Sequence, residues 1–183
     1  MDKDWNMIEV LRHARHDWLN KIQLIKGNLS LNKVDRAKEI IDEIVVEAQQ
    51  EARLSNLNLP AFASLLLTYN WENHFFQLEY EVLDDTISGR LDDFVLSEWT
   101  GSFFAILDTS VKPYHENHLS VSISHEKGGA RFFFDFSGIL TDMDKLDQFF
   151  KKKYANITAA VQELAEEELE LELYVPFIAK GRE

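Results

Sequence analysis

The chain has 183 residues and a formal net charge of −13 at pH 7, from 19 Lys and Arg against 32 Asp and Glu. That balance argues against a nucleic-acid partner, which would need clustered positive charge. The absence of cysteine removes disulfides, thiolate metal sites and cysteine nucleophiles together. No apolar run approaches the ~18 residues of a membrane helix, and the N-terminus MDKDWNMIEV lacks an apolar signal region, so a cytoplasmic protein without a membrane partner is expected.

Residues 1–58 hold nine Lys and Arg against ten Asp and Glu, one Gly and no Pro; residues 59–183 hold ten against twenty-two. A boundary near Asn58 is expected from this shift, with Pro60 in the first turn of the next helix. In the first region Ile8, Leu11, Trp18, Ile22, Ile25 and Leu29 form one stripe of a long helix. Val34, Ala37, Ile41, Ile44, Val45, Ala48 and Ala52 form the stripe of a second. Ser30–Lys33 makes a tight turn between them, with Asn32 as the expected N-cap of the second helix. Two helices enclose little core. A pair of such αα-hairpins packed across a two-fold axis as a four-helix bundle would cover both stripes, so a homodimer is expected.

The second region alternates between helix and strand patterns. Pro60–Phe75 reads as a helix, Gln77–Val82 as a strand and Leu91–Val111 as a long helix. Leu119–Ser124 and Ala130–Phe136 read as a hairpin joined at Lys127-Gly128-Gly129. A helix over Asp142–Tyr154 has Asp142 at its start. Val161–Phe177 reads as one strand, because Leu169, Leu171, Leu173 and Val175 alternate with Glu and Tyr. A mixed sheet with helices on one face, an α+β fold, accommodates this order.

His16 is the residue whose chemistry stands out. By the ~100° per residue rule it points roughly 130° away from the apolar stripe, on a face shared with Asn20, Gln23 and Gly27. Gly27 costs about 1 kcal/mol against Ala inside a helix, which a close approach by another molecule would explain. Arg12, Arg15, Lys21 and Lys26 surround the imidazole in an otherwise acidic protein. A cationic collar suits a phosphoryl group arriving and leaving, whereas an ordinary solvated histidine needs no collar. Asp17 could orient the imidazole or bind a neighbouring cation. Arg15 lies near the apolar stripe, so it either pairs with Glu47 or Glu51 of the second helix or reaches the phosphoryl site. His13 with His16, and His115 with His118, have metal-ligand spacing but no evident third ligand in sequence.

His16-Asp17-Trp18-Leu19-Asn20 resembles the H-box of two-component phosphotransfer helices, His-Asp/Glu-x-x-Asn. The run from Arg15 to Leu31 resembles the sporulation initiation phosphotransferase B family of Bacillus-type bacteria. Leu54-Ser55-Asn56-Leu57, Leu78–Leu83 and Glu116–Ser122 do so as well. Beyond residue 140 the reading rests on pattern alone. The resemblance implies a dimeric phosphorelay intermediate in which His16 takes a phosphoryl group from the aspartyl phosphate of one response regulator. It then passes the group to an Asp of a second. By resemblance the partners are the sporulation response regulators F and A. Arg12, Arg15, Asp17 and Asn20 are expected to support the phosphoryl site, and Gln23, Leu24 and Gly27 to contact the regulator. Neutral imidazole is a sufficient nucleophile without an activating base. No cofactor of its own is expected; Mg²⁺ would belong to the regulator's acidic pocket.

Histidine kinases place an ATP-binding α/β domain after such a hairpin. Phe103–Val111 is similar to their Mg²⁺-site helix, but Asp108 stands where the Asn would be. The Asp-x-Gly-x-Gly and later Gly-x-Gly loops that close on phosphates are absent from the sequence. The second region, 59–183, therefore reads as a degenerate relative of a kinase ATPase domain that does not use ATP. Two rivals stand beside this reading: an ATP-dependent histidine kinase with divergent loops, and a non-catalytic dimeric adaptor that binds a regulator.

Overall fold

The computed structural model describes residues 5–84, 89–154 and 156–178. The chain divides into two compact units, one reaching to Gln49 and the other starting at Gln50, so the last turns of α2 (Val34–Ser55) belong to the second.

The first unit is an αα-hairpin of α1 (Met7–Ser30) and most of α2. Asn6 opens α1 with a capping box: its side chain accepts from the Ile8 and Glu9 amides while Glu9 reaches back to the Asn6 backbone. Asn32 does not open α2 as expected but closes α1. Its φ is +56°, its N–H bonds Leu29 O at 3.0 Å, and Lys33 N–H bonds Asn28 O at 2.9 Å. This is a Schellman closure, for which Asn is suited because its short polar side chain tolerates the left-handed region. In the hairpin itself only Ala37 and Ile40 are buried. The stripe named from sequence included Ile41 rather than Ile40; Ile41 is exposed, as are Leu11, Trp18, Ile22, Leu29, Val34 and Val45.

The second unit is a two-layer α/β domain. Its sheet runs β1-β2-β3-β5-β4, from β1 (Gln77–Val82), β2 (His118–Glu126), β3 (Gly129–Ser137), β4 (Thr158–Leu164) and β5 (Glu168–Pro176). β1 and β2 are parallel and the other neighbours antiparallel. Register places buried side chains in rows across the sheet: Leu119, Phe136 and Leu169, then Val121, Phe134 and Leu171, then Ile123, Phe132 and Leu173. Helices α3 (Pro60–Tyr69), α4 (Asp93–Asp108) and α5 (Met143–Phe150) cover that face. Phe62 meets Phe132 edge-on at 5.2 Å, and Trp99 and Phe103 lie 5.8 and 5.4 Å from Phe134. Each such side chain contributes roughly 1.5–3 kcal/mol of burial.

Several element boundaries differ from those expected; α5 stops at Phe150 rather than Tyr154, its last turn closed by Lys151 N–H on Asp147 O and Lys152 N–H on Phe149 O, both at 3.1 Å. The helix over Pro60–Phe75 stops at Tyr69, because the Asn70 side chain turns to β1, donating to Leu78 O at 2.7 Å and accepting Leu78 N–H at 3.0 Å. α4 is shorter than Leu91–Val111: Asp92 caps its start at Val95 N–H, and Thr109 and Ser110 bond back to carbonyls of its last turn. The single strand over Val161–Phe177 is a hairpin, β4 and β5, folded at Ala165–Glu167. The Lys127-Gly128 turn stands as expected. Gly128 has φ +88°, and a Cβ on Gly129 would meet Val175 O at 2.3 Å. Asp142 caps α5 by accepting Lys145 N–H at 3.1 Å.

Candidate phosphoryl-transfer site

His16 sits in the middle of α1 with 71% of its side chain exposed. Its Nδ1 lies 3.3 Å from Asp17 Oδ1 and 3.2 Å from Asn20 Nδ2, and Asn20 Nδ2 is 3.5 Å from Nε2. The two Nδ1 contacts exclude one another. Asp17 can only accept, so it requires a hydrogen on Nδ1; the Asn20 amide N–H can only donate, so it requires a lone pair there. When Asp17 holds the Nδ1 hydrogen, Nε2 carries the lone pair and faces solvent as a nucleophile.

Around the ring the cations are not evenly placed. Arg12, Arg15 and Lys26 are exposed on α1 and by the ~100° rule lie on the side nearer the apolar stripe. Lys21, counted from sequence in the collar, turns the other way: its Nζ pairs with Glu47 of α2 and lies 5.9 Å from the Trp18 ring centroid. Glu47, one of the carboxylates considered for Arg15, is thus bound by Lys21. About 140° separates Lys21 from His16 on the helix, which is why its role is to join the two helices. His13 packs edge-on against Trp5 at 4.9 Å.

About two and three turns along from His16, Gln23, Leu24 and Gly27 are exposed, with Leu24 at 53%. A Cβ built on Gly27 meets nothing within 4 Å. The helix therefore has no packing need for that glycine, and it leaves bare backbone on the histidine's face.

In the second unit, Asp108 has a local structural task. At the end of α4 its Oδ1 accepts Phe75 N–H at 2.6 Å, and its Oδ2 lies 3.5 Å from His74 Nδ1. His74 stacks on Tyr69 at 3.9 Å. This clasp ties the α3–β1 connection to α4, and no sequence motif announced it. Among the described residues no group of three His, Asp or Glu converges as a metal-ligand set, and no helix is long and apolar enough to cross a membrane.

A helical hairpin carrying an exposed histidine, followed by a mixed α/β sheet domain, defines the class. Residues 58–176 match the family described as sporulation initiation phosphotransferase B, C-terminal, and residues 2–57 match the sensor kinase SpoOB-type alpha-helical domain. Sporulation initiation phosphotransferase B of Bacillus subtilis (strain 168) is 38% identical over 169 residues, spanning 91% of this chain and 88% of that protein. The chain belongs to the sporulation initiation phosphotransferase B family. Similar solved structures include the catalytic domain of histidine kinase ThkA, with 8% identity, 67% of this chain, 93% of that one and a TM-score of 0.46. Acinetobacter baumannii histidine kinase AdeS matches with 10% identity, 88% of this chain, 98% of that one and a TM-score of 0.45.

Proposed function

We propose that the chain is a His–Asp phosphotransferase of a sporulation phosphorelay, with His16 as the phosphoryl carrier. The observation that carries this reading is the His16 ring itself, exposed on a rigid helix with Asp17 at Nδ1 and Asn20 alongside. In the step, His16 Nε2 attacks the phosphorus of an aspartyl phosphate on a response regulator. A P–N bond forms as the acyl P–O bond breaks, and the regulator's carboxylate leaves with the electron pair. Asp17 holds the Nδ1 hydrogen and steadies the positive charge that develops on the ring, which releases the Asn20 amide to donate to a phosphoryl oxygen. Arg12 and Arg15 supply positive charge beside the transferred group. The reverse step on a second regulator completes the relay, with Mg²⁺ in the regulator's own acidic pocket. Sporulation regulators F and A are the partners this reading names.

Residues 1–58 are the phosphotransfer and dimerisation region in this proposal, and 59–183 a kinase-ATPase-like domain without ATP use. Homodimerisation is supported by the unpartnered apolar stripe through Leu11, Trp18, Ile22, Leu29, Val34 and Val45. A second hairpin would cover it as a four-helix bundle. Gln23, Leu24 and Gly27 extend the histidine's face and would receive a regulator helix.

The test uses purified protein and a response-regulator domain already phosphorylated on its Asp, without ATP. Acid-labile label on this chain, absent in a folded His16→Gln variant, is the expected result. Regulator binding without label would favour the adaptor, and label from ATP alone would favour the kinase.

A further inference from the structure

The first turns of α1 set a second imidazole beside His16. His13 lies three residues earlier on the same helix, and positions three apart are neighbours, with Cβ atoms about 5–6 Å from one another. By the ~100° rule Arg12 and His13 flank the direction of His16, about 40° to one side and about 60° to the other. Asp17 and Asn20, which approach the His16 ring at Nδ1 to 3.3 and 3.2 Å, both follow it in the chain. The turn that precedes it carries Arg12 and His13.

His13 is held in place from outside the helix. The capping box between Asn6 and Glu9 fixes the angle at which the chain enters α1. Trp5, the residue before that cap, lies edge-on against the His13 ring, with centroids 4.9 Å apart and planes at 90°. A residue in that place commonly packs on the fourth residue of the helix, here Val10. Trp5 extends to the seventh, which is His13. Edge-to-face is the preferred geometry for such a pair, so the indole orients the imidazole. His13 is half-buried, whereas the His16 side chain is 71% exposed. One imidazole is thus mounted firmly and its neighbour is presented to an arriving molecule.

We propose that His13 is a second phosphoryl-binding group: with its ring set by Trp5, it donates a ring N–H to a phosphoryl oxygen once His16 carries the group. Imidazole keeps an N–H in its neutral and its protonated form, so the contact is available in either state. A donor mounted beforehand loses little freedom on meeting the anion. A charged acceptor also makes the bond stronger than a neutral one. Because the bond exists only in the phosphorylated chain, it favours phospho-His16 over return of the group to a regulator. The inference rests on His16 being the carrier.

The full-length chain is mixed with a response-regulator domain phosphorylated on its Asp, with Mg²⁺, and the label on each protein is measured at equilibrium. His13→Phe keeps an aromatic ring for Trp5 and removes the N–H; His13→Gln removes the ring and keeps a donor. His13→Phe is expected to shift the distribution at least three-fold toward the regulator, and His13→Gln to shift it less. Without any change at His13, its ring ¹⁵N resonances should move when His16 is phosphorylated. They should stay in place in His16→Gln mixed with the same regulator, where docking occurs without transfer. A distribution unmoved by His13→Phe, an equal shift in both His13 variants, or His13 resonances that move equally in His16→Gln would each overturn the proposal while leaving the carrier reading intact. Label that never reaches His16 in the unaltered chain would overturn the carrier reading and this inference with it.

Discussion

Gly27 and Tyr69 each give up stability that the surrounding fold does not require. Gly27 has open space where a Cβ would stand, so Gly27→Ala should raise the stability of the helical hairpin by about 1 kcal/mol in urea unfolding. Gly27→Leu should weaken regulator docking and slow transfer to His16 while leaving the fold intact. Unchanged transfer kinetics in the leucine variant would detach that glycine from docking. Tyr69 is buried against His74, Phe76 and Phe104, and among the described residues its hydroxyl meets no hydrogen-bond partner. Burial, with the nearby Asp108 charge adding, pushes its ionisation far above the ordinary tyrosine range. The phenol therefore stays neutral, and its O–H is a buried donor left unmade. Tyr69→Phe removes that group at nearly the same volume, so a gain of about 1 kcal/mol in chemical denaturation is expected. A loss would mean the hydroxyl has a partner, such as a bound water.

At the scale of elements, the two edges of the sheet are managed by opposite means. Side chains occupy the outer edge of β1: Asn70 binds both backbone groups of Leu78, Gln50 accepts Val82 N–H at 2.8 Å, and Arg53 donates to Val82 O at 3.1 Å. β4, the other edge, carries a bulge between Val161 and Glu163 and one exposed carboxylate, Glu163, features that discourage pairing with another strand. That charge is costly, because Glu163 stands opposite Glu170, close to Glu168. Glu163 foremost, then local desolvation, Glu170 and Asp135, hold the Glu168 carboxyl above the ordinary range. A carboxyl raised in the folded state favours folding below its unfolded value, and that contribution is lost as pH rises through the folded value. Glu163→Gln should therefore raise the melting temperature at pH 7 by on the order of 1 °C and leave little change at pH 3. The same gain at both pH values would show that charge is not its cause.

For the whole molecule, the first unit leaves a continuous apolar stripe in water, while the second encloses a complete core of its own. A hairpin with two buried positions, Ala37 and Ile40, gains little from folding alone. Self-association is thus expected to stabilise α1 and α2 more than the sheet domain. Ile22→Glu, on the middle of the stripe, should convert a dimer to monomer in sedimentation velocity at micromolar concentration. It should also lower helical content, while the near-ultraviolet signal of Trp99 and its aromatic neighbours in the second unit persists. A dimer unmoved by this change would place self-association on another surface.

Periodicity in the sequence sufficed for the hairpin, for the three sheet-covering helices and for β1, β2 and β3, because apolar spacing reports directly which side chains must leave water. Spacing along one helix also placed His16 and Asn20 on a shared face, with Asp17 the adjacent residue, and the structure brings both side chains within 3.3 Å of the His16 ring. Where competing partners are distant in sequence, spacing is silent. Lys21 is near His16 in sequence but about 140° from it around the helix, and only the structure shows Glu47 of α2 as its partner; likewise Ile40 rather than Ile41 is the residue that packing buries in the hairpin. α3 ended early when Asn70 found Leu78, and the last strand became a hairpin because the sheet's edge register, rather than local alternation, decides where a strand turns. Asn117 and Asp108, which bind the Phe75 carbonyl and N–H, have no sequence signature, since the groups they satisfy are backbone atoms that every residue carries.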